Sequence, residues 1–118
     1  MSLDLSLSTG PCEHCGSAGQ VVFDRNITHN LTTMATACGL YKPLWRPYEA
    51  TEKGHQVMAI DLREQVEQGL ESLKSTPEAY RKYSPENGWG SYESLVEFAE
   101  EFLQAIKEYP YTYPQAYV

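Results

Sequence analysis

Apolar residues recur at spacings of three and four along two long stretches of the chain, and that period predicts helices. Met58, Leu62, Val66, Leu70 and Leu73 form one stripe, with Asp61, Arg63, Glu64, Glu67 and Glu71 for the wet side, so a helix is expected from about 56 to 75. Leu95, Phe98, Ala99, Phe102 and Ile106 form a second, preceded by Ser91 as an N-cap. Each large side chain buried between these two helices contributes about 1.5–3 kcal/mol, which makes the pair the expected main stabiliser. A shorter stripe of Leu31, Met34, Ala35 and Cys38 predicts a helix over about 29–38. Thr28 or Asn30 can cap its start, and Gly39 stands where a left-handed C-cap belongs.

The remaining segments carry other patterns. Pro43 and Pro47 bracket Leu44-Trp45-Arg46, which predicts an ordered but non-helical crossing over 40–48, and 50–54 reads as an exposed loop. Ser75 or Thr76 is expected to cap a short helix opened by Pro77, with Tyr80 and Tyr83 inward. Gln20-Val21-Val22-Phe23-Asp24 has the β-branched and aromatic content of a short strand. Residues 1–10 are polar and low in bulk, and are expected as an irregular arm. Residues 109–118, interrupted by Pro110 and Pro114, are expected as an extended tail. The predicted fold is a small, mainly α domain over 11–108, with α+β as the variant. It carries an N-terminal Cys-x-x-Cys turn and a short β-strand or hairpin.

A chain of 118 residues accommodates one hydrophobic core, and 42% hydrophobic residues suffice to build it. No apolar run approaches the roughly 20 residues needed to span a bilayer. The N-terminus has Asp4 where a signal peptide would carry a base, so a cytoplasmic protein without membrane contact is expected. The net charge of -7, and basic residues scattered singly apart from Arg81-Lys82, point away from duplex nucleic acid.

Three groups of residues could carry chemistry. Cys12 and Cys15, followed by Gly16, have the spacing by which two thiolates of one turn bind zinc. That is half a site, and His29 is the completion singled out, with His14, Cys38 and His55 as others; two reduced thiols without metal are the alternative. Asn26, Thr28, His29 and Asn30 gather amides, a hydroxyl and an imidazole at a helix entrance, where they can hold a small polar ligand or merely cap the helix. Trp45 and Arg46 suit stacking and ion pairing with a nucleotide-like anion, although core packing is the first reading of the indole and a rim position that of the guanidinium. Asn87, Trp89 and Tyr92 form a further aromatic and polar cluster around two glycines. Glu64, Glu97, Glu100 and Glu101 read as a solvated helix surface.

Nucleophile elbows, phosphate-binding glycine loops and paired-histidine zinc motifs are absent, so catalysis is not expected. The segments Asn26-Ile27-Thr28-His29-Asn30-Leu31, Leu44-Trp45-Arg46-Pro47 and Pro85-Glu86-Asn87-Gly88-Trp89-Gly90-Ser91-Tyr92-Glu93 together resemble a group of small proteins encoded by bacteriophages and bacteria. The similarity runs from about Cys12 to Ile106, and it implies a phage or mobile-element origin and no particular activity. Two functions are therefore carried forward. The first is a non-catalytic phage-type accessory protein binding a small polar or nucleotide-like ligand between the Asn26–Asn30 segment and the Trp89 turn. The second is a small structural or protein-interaction domain, with zinc at Cys12 and Cys15 in one version. A hydrolase using His29 is a distant third.

Overall fold

The computed structural model describes residues 2–9, 19–83 and 91–117. Its framework is a helical layer against a three-stranded antiparallel sheet of order β2-β1-β3. The strands are β1 (Ser2–Ser8), β2 (Val21–Thr28) and β3 (Tyr113–Tyr117). The helices are α1 (Thr32–Cys38), α2 (Tyr41–Trp45), α3 (Pro47–Ala50), α4 (Ala59–Ser75), α5 (Pro77–Arg81) and α6 (Tyr92–Glu108). The mainly α expectation holds, with a small sheet added, whereas the Cys12–Cys15 turn lies outside the described residues.

The N-terminal segment is a correction. It is not an irregular arm but the central strand of the sheet. Ser2-Leu3-Asp4-Leu5-Ser6-Leu7-Ser8 alternates polar and apolar at period two, so one face presents only leucine. Leu3, Leu5 and Leu7 are fully buried against the helices. Opposite them in register stand Ile27, Arg25 and Phe23 of β2, with Ala116 and Pro114 of β3 opposite Leu5 and Leu7. The other face carries Asp4, Ser6, Asp24, Asn26 and Gln115 into solvent. The expected C-terminal tail is likewise a paired strand. On its way there the chain finishes α4, because the Thr112 and Pro110 carbonyls accept from Ala59 N and Ile60 N at 2.8 and 2.9 Å. These are two of the donors that a helix start leaves unpaired.

A second correction concerns 40–48, which is helical rather than a non-helical crossing. Pro43 is the third residue of α2 and Pro47 the first of α3. In the first turn of a helix the missing proline N–H has no intrahelical bond to lose. Other expectations fall close. Thr28 caps a 3-10 turn over His29–Leu31 that runs into α1, and Ser91 Oγ accepts from Ser94 N at 3.2 Å to open α6. Gly39 has φ +86°, and Leu40 N returns to Ala35 O at 2.8 Å, closing α1 with a left-handed turn. Between 50 and 54 the chain turns, as expected, and a 3-10 turn over Gly54–Gln56 precedes α4.

The two long helices pack together, and Leu62, Val66, Leu73, Leu95, Phe98, Phe102 and Ile106 lie in one buried cluster with the β1 leucines. α6 lies beneath β2, where Phe102 meets Phe23 with ring centroids 5.6 Å apart. That placement decides what the edge of the sheet faces.

Candidate functional site

The strand order leaves β2 at an edge, so its outward peptide groups have no ladder partner among the described residues. Phe23, Arg25 and Ile27 turn toward the helices because their register partners are the buried leucines of β1. Arg25 is the charged interruption of that apolar face, and its guanidinium is ion-paired with Glu101 of α6. Two clefts open between the edge strand and the helix. One, of about 240 Å³, lies between 25–28 and Ser94, Glu97 and Phe98. The other, of about 460 Å³, lies between 22–25 and Glu101, Gln104, Ala105 and Glu108. Arg25 borders both, so together they follow most of the strand.

The helix side of this groove is acidic. Glu97, Glu101 and Glu108 follow one line along α6, roughly 6 and 10 Å apart by the helical rise. Glu97 and Glu108 have no cationic partner among the described residues. Apart from Arg25, the positive charges nearby are committed on the other side of α6: Lys74 bonds Glu100 at 2.6 Å, and Lys107 bears on Glu67 of α4.

The residues singled out from sequence are mostly occupied with one another. Asn26 is on the open face of β2, and its Nδ2 donates to Ser2 Oγ at 2.8 Å and to Asp4 Oδ1 at 2.7 Å. Thr28 Oγ1 accepts from Asn30 N at 3.3 Å, while the Asn30 side chain is exposed. Trp45, only 3% exposed, stacks on Tyr41 with centroids 6.0 Å apart, and its indole N–H donates to His29 Nδ1 at 2.9 Å. Accepting at Nδ1 puts the imidazole proton on Nε2. A metal at Nε2 would move that proton to Nδ1, against the indole donor, and a metal at Nδ1 would displace the indole, so zinc binding by His29 must break this bond. Arg46 is exposed, with Nε 3.5 Å from the Tyr41 hydroxyl and Nη1 3.6 Å from Glu49.

Tyr92 is buried and its hydroxyl donates to Leu73 O at 2.6 Å, with Arg81 lying 4.7 Å over its ring. Cys12, Cys15, Asn87 and Trp89 lie outside the described residues. Among the described residues no group of three His, Cys, Asp or Glu side chains could hold a metal ion. Cys38 is buried, which pushes its thiol up from the ordinary cysteine value. No helix among the described residues is long and apolar enough to cross a membrane.

The structure thus brings Asn26 and Thr28 to the start of α6, but sets Trp45, His29 and Tyr92 into packing roles. The groove residues Arg25, Glu97, Gln104 and Glu108 carry no motif. The available signal was the line Ser94, Glu97, Glu101, Gln104, Glu108, which keeps helical spacing just beside the core stripe. Comparison of the chain with family models, with curated proteins and with solved structures gives no match.

Proposed function

We propose that this chain is a non-catalytic binding module that recruits a partner protein at the β2 edge of its sheet, the one of the two edges that runs beside α6. The observation that carries the reading is the open β2 edge running beside a groove floored by α6. An edge strand offers unpaired N–H and C=O groups along its length, and an extended segment that pairs with them gains main-chain hydrogen bonds while its alternate side chains enter the groove. We place this module in the cytoplasm, as an accessory protein of phage type. Selection of peptides from a random displayed library against the purified chain tests it. Enriched peptides are expected to slow amide exchange at alternate residues of Val21–Thr28; enrichment of nothing, or protection confined to other elements, would refute the reading.

A second reading keeps a small polar ligand. It rests on the smaller cleft, where Arg25, Ser94 and Glu97 bring two charges and a hydroxyl around about 240 Å³, beside the strand at Asn26 and Thr28. Trp45 and Tyr92 are buried and offer no open stacking surface, and Trp89 lies outside the described residues. Native mass spectrometry of the purified protein distinguishes the readings: a retained small molecule supports the second.

A further inference from the structure

We infer that the segment recruited at β2 is a basic extended peptide whose cationic side chains sit on the acidic line of α6. This rests on the open-edge reading above and gives its partner a chemistry. Arg25 supplies the internal precedent: a cationic side chain on the helix-facing side of a strand reaches Glu101. A strand added outside β2 places its own helix-facing side chains over the next positions outward. There Glu97 lies beside the Ile27 end and Glu108 beside the Val22–Phe23 end, each exposed and without a cationic partner among the described residues.

The register narrows the pattern. Alternate residues on one face of a strand are about 7 Å apart, so positions opposite Ile27 and Phe23 are separated by about 14 Å. Glu97 and Glu108, eleven residues apart on the helix, are about 16 Å apart by its rise, within reach of two flexible lysine or arginine side chains. Between them, the position opposite Arg25 must not be basic, because like charges directly across a strand pair repel. The recognised pattern is therefore two basic residues four apart with a neutral or acidic residue midway. The net charge of -7 favours the approach of such a peptide and disfavours a second copy of this chain.

Calorimetric titration with synthetic peptides about ten residues long tests this. Three peptides share β-branched flanks and carry lysine, glutamine or glutamate at the two defining positions. The lysine peptide should bind, the glutamine peptide about tenfold more weakly, and the glutamate peptide undetectably. The lysine peptide's advantage should shrink when salt is raised to about 0.5 M. It should also vanish in the double variant Glu97→Gln, Glu108→Gln, both of whose sites are exposed. N-methylation of alternate peptide nitrogens in the lysine peptide should abolish binding in one of the two phases only. Equal binding of all three peptides, or an unchanged lysine preference in the double variant, overturns the charge inference and leaves the open-edge reading standing. Failure of every peptide overturns both. A dimer formed through β2, detected by sedimentation, would make a second copy the occupant and overturn the basic-peptide inference.

Discussion

Arg25 on the edge strand is ion-paired with Glu101 on α6, tying the open side of the sheet to the helix beneath it. The side chains are 44% and 38% exposed, so the pair itself contributes less than about 1 kcal/mol. One oxygen, Glu101 Oε2, is nevertheless shielded from water and takes no hydrogen bond, leaving the guanidinium as its compensation. The two partners should therefore respond unequally to substitution. Arg25→Ala is expected to lower the unfolding free energy by about 1 kcal/mol or more, and Glu101→Gln by less, in urea denaturation. Equal losses would contradict the asymmetry.

The indole of Trp45 depends on His29 as its acceptor. His29→Ala leaves a nearly buried N–H without a partner and should cost about 1–3 kcal/mol. Trp45→Phe in the His29→Ala background removes the orphaned donor, so the double variant should lose less than the sum of the single losses. Additive losses in a double-mutant cycle would show the bond to be energetically idle.

Asp61 makes stability depend on acid. Burial by itself would raise its carboxyl, but the Met58 N–H at 2.9 Å and Lys53 Nζ at 3.0 Å outweigh it and hold the group below its ordinary value. A carboxyl depressed in the fold stabilises above the unfolded value, near 3.9, and loses that contribution as pH falls through the folded one. Thermal unfolding should shift to lower temperature as pH drops from about 5 to about 3. Asp61→Asn should flatten part of that dependence. Glu67, held low by the Arg63 hydrogen bond, and Glu93, held low by its own backbone amide and Arg81, act in the same direction but are exposed, so they add little.

Gly69 lies where α4 meets the end of α1. A Cβ there would come within 2.5 Å of Leu40 Cγ and Cδ2, and Leu40 is fully buried. Alanine normally improves a helix by up to about 1 kcal/mol, whereas overpacking a core costs about 1–3 kcal/mol. Gly69→Ala should therefore destabilise on balance, by about 1 kcal/mol. The pair Gly69→Ala, Leu40→Ala should show the two losses to be less than additive.

The long helices were legible because their stripes repeat over four or five turns: Leu62, Val66, Leu73, Leu95, Phe98, Phe102 and Ile106 are all in the buried cluster. Caps were legible for the same reason of local chemistry, at Thr28, Gly39 and Ser91. The central strand is hidden in the sequence because its leucines alternate with serine and aspartate, and a polar composition over seven residues conceals a period of two. Pro43 and Pro47 read as breakers in the sequence, yet each falls in a first turn, and only the positions of the helix starts decide that. Of the groove, only its helix side, the polar line from Ser94 to Glu108, is legible in the sequence. The groove itself exists because the N-terminal strand separates β2 from β3 and leaves β2 at an edge over α6, a pairing among segments more than a hundred residues apart in the chain.

Among the described residues the edge of β2 is open to another strand. Amide hydrogen exchange, read residue by residue over Val21–Thr28 with and without saturating lysine peptide, tests directly whether it receives one. Pairing along an open edge predicts slowing at alternate residues of β2, those whose N–H points away from β1, with side-chain shifts at Glu97 and Glu108. Unchanged exchange along β2 while the peptide is bound, or slowing at every residue through a general tightening of the fold, would contradict it.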